Sequence, residues 1–351
     1  MRPVPSGGYA ITIRRSTSSG RFLLKSSPKR TPNTRIGAND PMNVLVTGGC
    51  GFIGSAVVRA FAGRGNDVTV ADIPGANRDR IGQVADRVRM VDLDVTDHTA
   101  ASALVKAAKP DTVVHLAWYA VPGKYPSSTE NVPFIGATLN LMQASAEAGV
   151  KKFVGIGTCF EYDFETNIMR EDSPTKPSSL YAACKLATFT AATKLAEMIE
   201  LPMAWVRFFY QYGPWEDERR LVASVIRKLL MGEKAQASTG EQVRDFLHVG
   251  DDASGVLAVL DSDLTGAVNV GSGVPVTVRQ IVETIGRLTG RGELIELGAY
   301  QPRVDDPPMV VADNGRLREA TGWLPQYDLE SGLAETVEWW GRRLKESGEL
   351  R

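Results

Sequence analysis

The chain has little cysteine: Cys50, Cys159 and Cys184 stand far apart, in odd number, without metal-ligand spacing. That excludes a disulfide framework and points to a reducing compartment, the cytoplasm. Long apolar runs are missing too, since no stretch approaches the roughly 18 consecutive residues of a membrane-spanning helix. No membrane attachment is therefore expected. Net charge is only −1, yet the first 41 residues carry eight Lys/Arg against one acid, Asp40, so the rest of the chain is acidic. An acidic body excludes a broad nucleic-acid-binding field, and a phosphate-rich ligand must be held by a few placed cations.

With 351 residues, 43% of them hydrophobic and 23% charged, the chain can bury a large core. The segment 1–41 is the exception. Rich in Ser, Arg, Pro and Gly and without hydrophobic periodicity, it is expected to be a disordered basic tail. A transit peptide or a basic interaction tail would share its composition, but Met42 immediately precedes the first strand pattern, which favours a start codon assigned too far upstream.

From Asn43 to Thr47 a buried strand pattern runs into Gly48, Gly51 and Gly54, spaced G-x-x-G-x-x-G, and then into a helix expected over 55–63. Such a turn lets the backbone bend tightly and approach a pyrophosphate, with the first helical amides facing its charge. A second strand pattern, Val68–Asp72, ends in an acid about 20 residues on, the place of a ribose-binding carboxylate. Strand patterns at 87–92, 112–116, 152–156 and 204–209 alternate with helical ones at 99–108, 130–148 and 181–201. The fold expected is α/β, a doubly wound parallel sheet with helices on both faces. Beyond Gly213-Pro214 the segments shorten, with turns at 231–233, 239–240, 271–273 and 306–308, and are expected to form a smaller C-terminal lobe. Folded over the strands' carboxyl ends, that lobe would enclose a substrate.

Tyr181 and Lys185 are four residues apart on one helix, hence on one face. An ammonium beside a phenol favours phenolate and lowers a pKa that is about 10 when unperturbed, toward proton exchange at neutral pH. Thr158 follows the 152–156 strand at its carboxyl end, where parallel-sheet enzymes place substrate contacts. His115 and His248 follow apolar strand residues and read as packed core groups, and Arg78 and Arg80 as solvated loop residues.

In these features the chain resembles the extended short-chain dehydrogenase/reductase family, in its nucleotide-sugar epimerase, dehydratase and ketoreductase branch, from Met42 to about Trp340. The carriers are Thr47-Gly-Gly-Cys-Gly-Phe-Ile-Gly54, Asp72, Asp94-Val95, His115-Leu-Ala117, Thr158 four residues before Tyr162, Tyr181-x-x-x-Lys185, Arg207-Phe-Phe-Tyr-Gln-Tyr-Gly-Pro214 and Arg244-Asp-Phe-Leu-His-Val249. The resemblance implies a Rossmann domain over 42–206, rejoined by segments about 237–266, and a lobe over 207–351 that mainly binds substrate. It implies NAD as cofactor, with Gly48, Gly51, Phe52, Ile53 and Gly54 at its phosphates, Asp72 on the adenosine ribose, Asp94 and Val95 on adenine, and Leu116 and Ala117 along its middle. An acid at Asp72 repels a 2′-phosphate, which argues against NADP. Tyr181 would transfer the proton, Lys185 would hold the nicotinamide ribose and depress the tyrosine's pKa, and Thr158 would bond the reacting sugar oxygen. Arg244 and Arg303 would meet the substrate diphosphate. A homodimer through helices 130–148 and 181–200 is implied as well.

The chain also departs from the family pattern. Cys159-Phe160 stand where dehydratases carry Asp-Glu, so the acid/base pair for elimination is lost; Glu161 and Asp163 are offset and read as surface acids. Tyr210 replaces an Asn that usually contacts substrate phosphate, and a common helix Asn aligns with Phe134, one helical step after Asn131. Trp118, Tyr119 and Tyr125 are candidates for the hexose side of the pocket. The function expected is NAD-dependent chemistry at C4 of a nucleotide-activated hexose, first as a 4-epimerase, alternatively as a 4-ketoreductase, and third as a dehydratase. A non-catalytic dinucleotide-binding regulator would have no need of Thr158, Tyr181 and Lys185 together.

Overall fold

A computed structural model describes residues 41–301 and 306–350, so the expected tail over 1–41 falls, apart from residue 41, outside the described residues. The strands β1 (Asn43–Thr47), β2 (Asp67–Asp72), β3 (Val88–Asp92), β4 (Thr112–His115), β5 (Lys152–Thr158), β6 (Met203–Phe208) and β7 (Gly266–Val270) make one sheet, parallel throughout, in the order β7-β6-β5-β4-β1-β2-β3. β1 shows why both faces are covered. Val44 and Val46 enter one core and Leu45 another, because side chains alternate along a strand and an unbroken apolar run must be buried on both sides. α1 (Phe52–Gly63) covers the first face. α2 (His98–Ala108), α3 (Pro133–Glu147) and α4 (Leu180–Met198) pack side by side on the second.

Beyond β6 the chain divides its segments between two places. α5 (Leu221–Leu230) encloses a separate core, around Ile226, Ile281 and Leu333, together with later helices. α6 (Val249–Leu260) instead packs against α1, and β7 adds the outermost strand beside β6. α7 (Val278–Thr289) and α9 (Leu329–Glu346) complete the lobe around α5, with the short α8 (Gly315–Thr321) between them in sequence. Residues 210–212 pair in parallel with 246–248, so the lobe's first strand starts two residues after β6 ends. Among the described residues no helix is long and apolar enough to cross a membrane.

Several boundaries differ from the sequence reading. α1 begins at Phe52, three residues early, because a hydrogen bond from Gly51 N to Gly48 O (3.1 Å) already closes the glycine turn. The helix expected over 130–148 starts only at Pro133, which sits in its first turn where a missing N–H costs nothing. Thr129–Asn131 forms a separate tight turn before it. β5 extends two residues further than expected, which puts Thr158 on the sheet itself. α4 ends at Met198, and Glu200, at φ +52°, turns the chain toward β6.

Candidate active site at the carboxyl edge of the sheet

β1 and β4 are neighbours whose connections leave in opposite directions, the point where an open parallel sheet leaves a crevice for ligands. Their ends are bound together: Leu116 N donates to Thr47 O at 3.0 Å, and Ala117 N reaches Thr47 Oγ1 at 3.4 Å. Gly48, at φ +72°, lies so close that a Cβ there would come within 2.6 Å of Ala117 N. A Cβ on Gly54 would meet Gly48 O at 2.1 Å, so helix and turn close only around glycine. Phe52 and Ile53 pack on the first core, and no side chain caps the first amides of α1. Those amides suit a diphosphate.

Asp72, ending β2, accepts Cys50 N (2.8 Å) and Ile73 N (2.9 Å), which fixes an acceptor beside the glycine turn. Leu93 N donates to Asp72 O (2.7 Å), bringing the next loop alongside; there Asp94 accepts from Thr96 N and Oγ1 while Val95 is buried. Glycine turn, the Asp72 carboxylate and the buried Val95 therefore lie along one end of the sheet, in a form that fits a dinucleotide. Arg80 corrects the reading of a solvated loop residue. Its guanidinium bonds Trp215 O (3.2 and 3.3 Å) and Cys50 O (3.4 Å), tying the glycine turn to the start of the C-terminal lobe. Arg78 remains exposed, paired with Asp92 at 2.5 Å.

The structure brings Thr158, Tyr181 and Lys185 together. Ser179 caps α4 by accepting Ala182 N, so Tyr181 lies in the first turn and Lys185 one turn on. The Thr158 hydroxyl, which accepts Phe160 N at 3.3 Å, is near enough to the phenol to lower its pKa. Lys185 Nζ, 6.0 Å from the Tyr181 ring centroid, donates to Ile156 O at 2.7 Å and lies 3.7 Å from the centre of the Trp118 ring. Burial pushes its pKa down to about 7, against the opposing charge of Glu161. The expected depression of the tyrosine's pKa is not what this geometry produces. Burial raises the phenol's pKa, Tyr125 adds to it, and the Thr158 hydroxyl pulls it back. Tyr125 meets Tyr181 edge-on at 4.8 Å, and Arg220, at the start of α5, lies over Tyr125.

Glu161 overturns its reading as a surface acid. The turn after Thr158 points it inward, fully buried, where Oε1 accepts Thr158 N (2.9 Å) and Trp205 Nε1 (3.0 Å) and Oε2 accepts Arg207 Nε (2.8 Å). Arg207 is itself enclosed, its guanidinium stacked on Tyr162 at 4.4 Å. Asp163, half-buried, faces Lys176 at 3.8 Å. Sequence reasoning missed this support under Thr158, and also Asn131. Fully buried, Asn131 accepts Trp118 Nε1 (2.8 Å) and donates to Tyr125 O and Ser128 O (2.7 Å each). Its placement one helical step before Phe134 was the available signal. Phe134 packs on the Trp118 ring at 5.1 Å.

Arg244 is buried and already engaged, bonding Val243 O and Pro307 O (2.8 Å each) and Asp306 (2.6 Å). Its guanidinium faces the ring of Tyr210 at 5.5 Å, and burial raises that phenol's pKa. Arg303 lies outside the described residues. His115 is a packed core group: Nδ1 bonds Thr47 Oγ1 (2.7 Å), Nε2 bonds Thr138 Oγ1 (2.9 Å), and burial lowers its pKa to about 3. His248 is buried as well and accepts Gly250 N at the start of α6. No cluster of potential metal ligands occurs among the described residues.

A dinucleotide crevice beside a Tyr–Lys–Thr cluster defines a nicotinamide-dependent oxidoreductase fold, and comparison with known proteins narrows the class. The NAD dependent epimerase/dehydratase family matches residues 44–271; the chain belongs to that family and is an enzyme. It is 29% identical over 335 residues to the UDP-glucose 4-epimerase of Azospirillum brasilense, covering 87% of this chain and 93% of that one. To the dTDP-glucose 4,6-dehydratase of Streptomyces griseus it is 30% identical over 315 residues, covering 85% and 94%. The solved structure of UDP-glucose 4-epimerase from Thermus thermophilus in complex with NAD superposes with a TM-score of 0.75 at 27% identity, over 85% of this chain and 98% of that one.

Proposed function

We propose that the protein is a nucleotide-sugar 4-epimerase. The observation that carries this reading is the contrast around Thr158. Its hydroxyl lies beside the Tyr181 phenol, while the one carboxylate of the same turn, Glu161, is taken up by Thr158 N, Trp205 and Arg207. Proton transfer at a sugar hydroxyl is supported by this arrangement; elimination of water, which needs a free acid/base pair, is not. Cys159 is buried without charge and Phe160 packs against Phe164 and Tyr210, so neither supplies one.

NAD supplies a reversible hydride acceptor, and the protein handles the proton. Tyr181 Oη takes the C4 hydroxyl proton as the carbon is oxidised and gives it back after the 4-keto sugar has turned, with Thr158 Oγ1 bonding the same oxygen. The two directions ask opposite states of the phenol. Burial favours the neutral form and the Thr158 hydroxyl the ionised one, which suits a group that must both accept and donate. Arg244 serves as a diphosphate contact and α3 with α4 as the face for a homodimer in this reading.

Incubated with UDP-glucose or dTDP-glucose and no added cofactor, the purified protein is expected to form the galacto epimer and to release NAD on denaturation. Protein that arrives without cofactor, and oxidises added NADH only when given a 4-keto-6-deoxy sugar nucleotide, would instead be a 4-ketoreductase.

A further inference from the structure

Lys185 is a buried ammonium with an unusual set of neighbours. At 3% exposure it makes one hydrogen bond, to Ile156 O, and its other close neighbour is the face of Trp118. Glu161, the carboxylate whose charge reaches it, spends its oxygens on Thr158 N, Trp205 and Arg207. Other titratable or charged groups on its own helix or on elements around it are Tyr181, Cys184 and the mutually paired, exposed Lys194 and Glu197 on α4, Tyr125 after β4, His115 on β4, Lys152 at the start of β5, Cys159 after β5 and Arg207 on β6. α3 adds only the exposed Glu147. None of these is an anion in contact with Nζ. The indole is held independently from both sides, by Asn131 on its N–H and by Phe134 on its ring. It also stands edge-on to Tyr181, ring centres 6.5 Å apart.

We infer that Trp118 is a positioning residue for the reaction, its π face holding the Lys185 ammonium charged and in place beneath Tyr181 where a carboxylate would otherwise be needed. An aromatic face attracts a desolvated cation without offering it a proton acceptor, so it stabilises the charge while leaving the phenol as the group that exchanges protons. A carboxylate in the same place would raise the ammonium's pKa further and compete with the phenol for its field. The role of Trp118 rests on the proposed function, in which Lys185 supports Tyr181.

The test is the titration of Lys185, followed by NMR of protein labelled at lysine Cε, with its signal assigned by loss in Lys185→Met. Trp118→Leu is expected to lower the Lys185 pKa by about one unit, a tenfold larger deprotonation constant or about 1.4 kcal/mol. The basic limb of the kcat profile should move down with it. Trp118→Phe, which keeps a ring against Phe134, should give a smaller shift in the same direction and carries the test if the leucine variant does not fold. An unmoved Lys185 overturns the inference, and so does a raised pKa, which would mean that the indole acts only by excluding water. Because the titration needs no substrate, these outcomes are separate from a failure of the wild-type protein to epimerise sugar nucleotides, which would overturn the functional reading instead.

Discussion

Arg207 and Lys185 are two buried cations at one edge of the sheet, and the chain stabilises them in opposite ways. Arg207 meets Glu161 at 2.8 Å inside a set of bonds that also uses Trp205 and the backbone of Thr158. Lys185 has a carbonyl and an indole. A paired arginine does not change charge at accessible pH, so the first cluster is scaffolding that holds Thr158 in place. Burial disfavours the Lys185 charge and no carboxylate touches it, so the second is the cation whose charge its surroundings can tune. Adjacent buried charges thus divide into one that fixes geometry and one that tunes chemistry, according to whether a carboxylate is supplied.

The comparison breaks most visibly through Glu161. Glu161→Gln leaves Arg207 buried and unpaired, and should cost about 3–5 kcal/mol in urea denaturation. A loss under about 1 kcal/mol would remove the scaffold role. Tyr181→Phe probes the reactive side: turnover should fall at least about a hundredfold, equivalent to about 2.7 kcal/mol, with the denaturation midpoint and NAD content of the purified protein close to wild type. If the variant loses cofactor or stability in proportion, the two regions are not separable.

His115 sharpens the division by pH. Its folded pKa, about 3, lies below the unfolded value near 6.5, so its contribution to stability is complete above about pH 6.5. It is lost as pH falls toward 3, by about 1.4 kcal/mol per unit. Stability measured from about pH 6 to 4 should therefore fall less steeply in His115→Gln than in wild type; parallel curves would show that the imidazole ionises in the fold. Asp252 has the smallest expected effect. Fully buried on α6 with neither oxygen hydrogen-bonded, it has a pKa raised by burial first and by Asp251 and Asp245 next. Its contribution is complete below the unfolded value near 3.8 and is lost as pH rises, so Asp252→Asn should gain about 1 kcal/mol near pH 8 and little near pH 4. Equal effects at both values would reject an ionisable burden there.

The parts of the site legible in the sequence are those built by neighbours along the chain. β1, its glycine turn and the start of α1 are contiguous, and Asp72 ends the next strand, so period and spacing place them. Tyr181 and Lys185 share a face because a helix repeats every 3.6 residues. Glu161 escapes such a reading for the opposite reason. Its direction depends on a tight turn after Thr158 and on Trp205 and Arg207, 44 and 46 residues away, whose burial no local pattern announces. Arg80 likewise finds Trp215 across 135 residues. The tyrosine's ionisation escapes it too, because spacing reports a cation nearby but not how much water the phenol loses.

Local chemistry along the chain was enough to determine the parallel sheet, the glycine turn, the acid that ends the second strand and the presence of a Tyr–Lys pair, since each follows from backbone periodicity and residue size within about 30 residues. Which acid is buried, which cation lacks a carboxylate and which ring lies on that cation were decided only by the tertiary structure. Desolvation and charge pairing depend on what distant segments bring into contact, and a sequence pattern carries no record of the distance between them.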